Sequence, residues 1–566
     1  MLRATAFLAL FFFFALAAMA DELQDAVRLF ESERAKTYAE RLPAARKLAA
    51  FKDEKARRAV LVLYSHEEDA NMRAYLLRLL APLGGTEVKA ALLAALGDGK
   101  DAARQLAAAQ SIRGRMDPDF TRAAVALLAE SSTGQSLATA LDHALATADD
   151  EESVRWLAGP GLAITDPRAL LAVIRTIGKL GAPAAVRPLE RLAAGPEGKV
   201  RIAALEALSG IDDPGARRIL ERAMESTDAD VAAAGIRGLA RHARTDEALA
   251  TKILRYLDAR DDQRRLAAAD ALGEAGVARA LGPLVEMLAD PAWQVRAAVI
   301  ANLRKLRLAE AIDPLLDRLD AEDGRLREDV LAALEDLTGQ TFGDSPANWR
   351  SWWNAHRDGF VVPPPRQGRP AAPKDGDTIS GYYGIVVRSK RVVFVVDISG
   401  SMSAAATEKG ASGTPPAGGA PAGAKTRMEL AKERLEAVLV SFSSQVRFNV
   451  IFFDSRLDSW RDALVPATDE DKADAIEFTR KQAPRGGTNI FDALAAAIQT
   501  EGVDTVFFLT DGDPSAGQYT DPDDILREIG RLNRTRRVKI HAIALGGARP
   551  FLAKLARATG GEYVEP

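Results

Sequence analysis

Apolar residues along this chain follow two different periods, and the change of period divides it. From Asp21 to about Gly339, apolar side chains recur at helical spacing, and Gly, Pro and Asp interrupt them every 12–18 residues. That spacing predicts amphipathic helices joined by short turns. Beyond residue 379 the pattern becomes short apolar runs at 392–397, 446–453, 503–510 and 538–545, separated by helical stretches at 427–443, 469–482, 490–500 and 522–534. The run Val392 to Val396, nearly all β-branched or aromatic, reads as a strand buried on both faces. Strand–helix alternation predicts an α/β, doubly wound, mostly parallel sheet.

The helical half repeats itself. Val200 to Leu208 aligns with Val295 to Leu303, and looser copies end at Leu239, Leu272 and Leu334, a step of 31 to 33 residues. Pro188, Pro283 and Pro314 each lie 20 residues before the terminal leucine of their copy. Proline is tolerated in a first helical turn, so each unit reads as two antiparallel helices with the proline opening the first. Such a pair buries its apolar face only by stacking on a neighbour. The pattern resembles HEAT-like repeats, well over 165–340 and more weakly over 40–165, where Asn71 to Leu83 and Asp101 to Ile112 look like degenerate copies. An irregular helical bundle is the other reading of the same composition. An α-solenoid is therefore expected over 21–340. A segment at 341–378 follows, in which Trp349, Trp352 and Trp353 share one helical face, a hydrophobic cap, before a proline-rich semi-rigid linker.

Composition narrows the chemistry. The 566-residue chain is 47% hydrophobic and 27% charged with net charge −4, so it is globular, multidomain and not built for nucleic acid. It has no cysteine, which removes disulfides and thiolate sites, and its five histidines form no zinc-ligand spacing. Residues 1–20 read as a signal peptide: Arg3, an apolar run from Phe7 to Ala17, then a small-x-small Ala18-Met19-Ala20. Export to periplasm, envelope or medium is the expectation, without a stable transmembrane anchor.

Three polar clusters fall at strand and helix ends that a doubly wound sheet brings together. They are Asp397, Ser399 and Ser401 after the first strand, Gly486-Gly487-Thr488-Asn489 before the helix from Ile490, and Thr510-Asp511-Gly512 after a later strand. All their donors are oxygens, a set that suits a hard divalent cation, magnesium above all, with calcium or manganese also compatible. No GxxxxGK[ST] or GxSxG motif occurs. Asp454, Asp458, Asp462 and the acids from Asp469 to Asp471 form an acidic stretch, most of which reads as solvated loop and helix-start residues. Arg534, Arg536 and Arg537 read as a solvated basic edge.

Residues 379–566 closely resemble the von Willebrand factor type A domain. The Asp-x-Ser-x-Ser motif of its metal ion-dependent adhesion site is matched by Asp397, Ser399 and Ser401, its distant Thr by Thr488 and its distant Asp by Asp511. The resemblance implies that the two serines and Thr488 bind the metal directly and that the aspartates bind it directly or through water. Two carboxylates would balance a divalent cation, leaving one vertex for an acidic group of a partner. The stretch 404–426, rich in Ala, Gly and Pro, departs from the family as an insertion expected to be disordered. The functional expectation is an exported, bacterial-type, non-enzymatic protein. It would recognise an acidic group on a protein partner through the metal and use the solenoid as a second interaction surface. The alternatives are a cell-envelope scaffold in which the solenoid binds partners and the metal only stabilises the domain, and a subunit resembling those of metal-chelatase complexes.

Overall fold

Aspartates start the helices of the first half, and glycines end several of them. Asp101, Asp166 and Asp261 each accept the backbone N–H three residues on, satisfying a donor the first helical turn leaves open. The helices Pro167–Leu180 and Asp262–Ala275 stop at Gly181 and Gly276, both left-handed. The computed structural model describes residues 22–32, 37–365, 381–406 and 425–566. The expected signal peptide at 1–20 and the linker from 366 to 380 lie outside the described residues, as does the insertion from 407 to 424. No helix among the described residues is long and apolar enough to cross a membrane.

The chain divides into two compact units, Met1–Arg218 and Ile219–Pro566. In the first unit the described residues form helices and turns, with no strand. Its helices approach closely where side chains are small: a Cβ on Gly178 would sit 2.7 Å from the Cα of Ala207 in the next repeat. An arginine early in the helix Pro167–Leu180 ties down a turn of the preceding repeat. Arg168 donates to the carbonyls of Leu128, Thr133 and Glu130.

The second unit opens with helical pairs of the same kind. Arg265 pairs with Asp290, and Arg296 pairs with Glu322 while donating to the Asp290 carbonyl. The repeat prolines do not begin their helices. A 3₁₀ turn comes first, at Ala278–Ala280 and Ala309–Ala311, and Pro283 and Pro314 then stand third in Leu281–Glu286 and Ile312–Ala321. The missing N–H still falls in the first turn, where no intrahelical partner is lost. The helix Pro346–His356 closes the array. Trp349 and Trp353 are buried, and Trp353 Nε1 donates to Asp313 on the last repeat at 2.8 Å.

The α/β part starts with a hairpin, β1 (Gly381–Tyr382) and β2 (Ile385–Val386). Its main sheet contains β3 (Arg391–Asp397), β4 (Arg447–Phe453), β5 (Leu457–Ser459), β6 (Val465–Pro466), β7 (Thr505–Thr510), β8 (Lys539–Ala544) and β9 (Tyr563–Val564). The order is β5-β4-β3-β7-β8-β9, with β6 also paired to β4. Only the short β5 and β6 run antiparallel to their neighbour. The helices α1 (Arg427–Val440) and α2 (Asp469–Lys481) cover Val392, Phe394 and Val396 on one face. On the other, α3 (Ile490–Gln499), α4 (Pro522–Arg536) and α5 (Pro550–Thr559) cover Val393, Val395 and Phe508. Both faces are dry, which explains the unbroken apolar runs.

Ion pairs join this sheet to the last repeats. Lys539, at the start of β8 and 2% exposed, places its Nζ 2.7 Å from Asp329 and 3.0 Å from Glu328, both on the helix Gly324–Thr338. Arg325 and Arg391 stack on Trp293, and Arg537 pairs with Asp270. The tract Arg534 to Arg537 is therefore not a solvated edge at Arg537, which reaches the repeats.

Candidate metal centre

The chain runs from β3 outward to β4 and returns to β7 on the other side of β3, so the switch point of the sheet lies between β3 and β7. Asp397 ends β3 and Asp511 follows β7 directly, so both carboxylates stand at the carboxyl edge of adjacent parallel strands. The turn into α3 lies against them. Gly400 N–H donates to the Gly486 carbonyl at 3.1 Å, and Arg485 N–H to the Ile398 carbonyl at 2.7 Å. Gly486 has φ +65, and a Cβ there would press on Asp454 and Ser455, so the close approach needs glycine.

The sequence-predicted residues meet at this edge. Ser399 N–H donates to Asp397 Oδ1 at 2.6 Å, Ser399 Oγ and Ser401 Oγ are 3.1 Å apart, and Ser401 Oγ donates to Asp511 Oδ1 at 2.6 Å. Thr488 Oγ1 and Ser401 Oγ lie 3.1 and 3.7 Å from the point a Cβ on Gly512 would occupy. The bare Cα of Gly512 therefore leaves a gap between hydroxyls from two different loops. Asp397, Ser399, Thr488 and Asp511 are buried and Ser401 is exposed, so the cluster opens to solvent on the Ser401 side.

Burial pushes the Asp397 carboxyl up to about 6 in the metal-free protein; hydrogen bonds from Thr510 and Ser399 act against that shift, and the Asp511 charge adds to it. A buried carboxylate with no cationic side chain of its own, beside oxygen donors and a gap between them, fits a hard divalent cation. Asp397, Ser399, Ser401, Thr488 and Asp511 are the residues that would hold it. The charge count needs one correction. Arg427, at the first position of α1, donates to Asp511 Oδ2 at 2.7 Å and so already balances one of the two carboxylates. Arg549 donates to the Asp511 main-chain carbonyl, also at 2.7 Å. With a divalent ion bound, the cluster would keep surplus positive charge, which favours an anionic visitor.

Sequence reasoning missed Arg427 and Arg549, and it gave no role to Thr510 of the third cluster, whose hydroxyl donates to Asp397 Oδ2. It also did not separate Asp454 from the solvated acids around it. This residue ends in no solvated loop: it is buried just beyond β4, its carboxylate accepts from Arg485 Nε, and its carbonyl accepts from Asn489 N–H. The same strand-end rule that singled out Asp397 and Asp511 applies to β4 and could have found Asp454. Nothing local marks Arg427 or Arg549.

The architecture is a helical-repeat array followed by an α/β domain with its polar cluster at the switch point. Residues 420–564 match the family model of the von Willebrand factor type A domain, and 160–240 and 247–335 match that of HEAT repeats, so the chain carries both. The chain is 32% identical over 192 residues to inter-alpha-trypsin inhibitor heavy chain H4 of Homo sapiens, covering 31% of this chain and 18% of that protein. It is 35% identical over 120 residues to von Willebrand factor A domain-containing protein 3A of Homo sapiens, covering 20% and 10%. The chain thus spans less than a fifth of the length of these relatives. Among solved structures, a von Willebrand factor type A protein from Catenulispora acidiphila aligns at 19% identity and TM-score 0.25, covering 32% of this chain and 39% of that one. A Kap121p mutant aligns at 14% identity and TM-score 0.35, covering 56% and 42%.

Proposed function

We propose that this chain is an exported, non-enzymatic recognition protein. Its von Willebrand factor type A domain would bind an acidic group of a protein partner through a divalent metal, magnesium in the first place. The single observation that carries this reading is the Ser401–Asp511 hydrogen bond with Thr488 beside it, which gathers three loops around one gap. When bound, the cation supplies a Lewis-acidic vertex for a carboxylate. The chain's own residues do the rest. Asp397 and Asp511 provide charge, the three hydroxyls provide neutral donors, Thr510 and Ser399 N–H fix the Asp397 rotamer, and Arg427 holds Asp511.

The HEAT repeats supply a second surface in this reading, and the four functional segments remain 1–20, 21–340, 341–378 and 379–566. The test is affinity capture from an envelope extract in magnesium, followed by elution with EDTA. Partners should elute with chelator and be absent with the Asp397→Ala protein. Capture that survives both overturns the metal-mediated mode. Magnesium titration by calorimetry should give one site in the native chain and none in Thr488→Ala.

A further inference from the structure

Within the second unit, the last repeats and the α/β domain enclose a cleft of about 870 Å³. One wall is formed by Trp293–Leu306 and Gly324–Thr338, the other by α4 and α5. The floor is apolar, with Ile300, Ile529 and Leu555 buried. The lining is strongly basic: nine Arg and Lys residues face four carboxylates, in a chain whose net charge is −4. Basic residues commonly gather at helix carboxyl ends, each of which carries about half a negative charge. Six helices line this cleft, so that effect accounts for about three of the five surplus charges. Some of the cations are spent on the fold, since Arg304 and Arg307 share Asp336, and Arg537 holds Asp270. Lys305, Lys554 and Arg557 are exposed at the rim, with no carboxylate partner among the described residues.

Two further features bear on what the cleft can take. Arg307 and Arg537 both line the cleft with φ of 51 and 57, at the left-handed residue that ends a helix, where glycine is favoured. A non-glycine residue there costs about 1 kcal/mol, which the ion pairs of the two guanidiniums with Asp336 and Asp270 offset. In addition, the chain itself lays a stretch without helix or strand along one edge: Pro365 lines the cleft and the Pro363 carbonyl accepts from Arg307. The cleft already takes peptide backbone through an arginine.

We infer that this cleft is a second, metal-independent binding site for an extended acidic peptide segment of a partner protein. Carboxylates of the segment would meet Lys305, Lys554 and Arg557, while its apolar side chains would pack on the half-buried Leu526 above the apolar floor. The site is distinct from the metal centre, so the two readings can fail separately.

The test uses the full chain in EDTA and a fluorescein-labelled decaglutamate peptide, followed by fluorescence anisotropy. The native chain should bind, and Asp397→Ala should bind equally. The charge reversal Lys305→Glu/Lys554→Glu/Arg557→Glu should weaken binding about tenfold or more, and the neutral Lys305→Gln/Lys554→Gln/Arg557→Gln by less. These are exposed positions, and unchanged circular dichroism would show both variants folded. Affinity that is unchanged in the charge-reversed variant overturns the inference. So does displacement of the probe by tripolyphosphate at lower concentration than by unlabelled decaglutamate, which would make the site one for a phosphate ligand. Binding that is lost in EDTA and in Asp397→Ala would assign the peptide to the metal centre instead.

Discussion

Asp397→Asn should make the metal-free protein more stable, not less. The Asp397 carboxyl is fully buried, and its pKa rises from 3.8 to about 6 because burial penalises the charge. A shift of about two units corresponds to about 3 kcal/mol that the ionised carboxylate costs the fold at pH 8. The sign follows from the direction of the shift. A raised carboxyl pKa favours folding fully below the unfolded value near 3.8, and that advantage is lost as pH climbs through about 6. Asparagine has the right donors for the site. Its Oδ1 can accept the Ser399 N–H, and its amide can donate to Thr510 Oγ1, whose own hydrogen can turn to the Gly512 carbonyl. In EDTA at pH 8, calorimetric melting should therefore shift upward by several degrees, given about 2–4 °C per kcal/mol in domains of 150–250 residues. At pH 5 the gain should fall to about half, since the native carboxyl is then largely protonated. Magnesium should raise the melting temperature of the native chain and leave the variant unmoved. A variant that melts below the native chain in EDTA at pH 8 would refute the reasoning, because the carboxylate would then have to be well satisfied without a metal.

Arg427→Met removes the cation from the buried Asp511 carboxylate, so it should lower the melting temperature in EDTA and enlarge the magnesium-induced rise above that of the native chain. Lys539→Met should cost up to about 3–5 kcal/mol by leaving Glu328 and Asp329 without their buried partner. Most of that loss should return in Lys539→Met/Glu328→Gln/Asp329→Asn, read by urea unfolding, and no recovery would argue against the charge explanation. Gly178→Ala gains about 1 kcal/mol of helix propensity, yet the contact with Ala207 should turn the net effect into a loss of about 1–3 kcal/mol in the same measurement.

The sheet was legible because β3, β4, β7 and β8 are buried on both faces and announce themselves as unbroken apolar runs. The strands at the rim were not legible. Leu457–Ser459 and Val465–Pro466 are too short to show a period, and their pairing with β4 depends on contacts across the sheet. The helix Pro550–Thr559, an ordinary amphipathic stretch behind Pro550, was also missed. Within the polar cluster, the hydroxyl and carboxylate positions are readable because they sit at strand ends in a short motif. Arg427 is not, because its role depends on the Gly546 turn, where a Cβ would overlap its guanidinium. Lys539 is hidden for a similar reason. It looks like a strand-start lysine bound for solvent, and only the repeat helix carrying Glu328 and Asp329 makes it a buried one.

The stretch between Ser403 and α1 closes on itself at its base. Ala405 and Thr426 form an antiparallel bridge, Ala406 N–H donates to the Lys425 carbonyl at 2.9 Å, and Arg427 N–H donates to the Ala404 carbonyl at 2.8 Å. The two ends of the stretch, Ala406 and Lys425, are thereby held side by side. Doubling such a loop adds only about 0.6 kcal/mol of closure entropy. The neck makes a natural grafting point: an epitope, a dye-bearing cysteine or a whole reporter module could be spliced between Ala406 and Lys425.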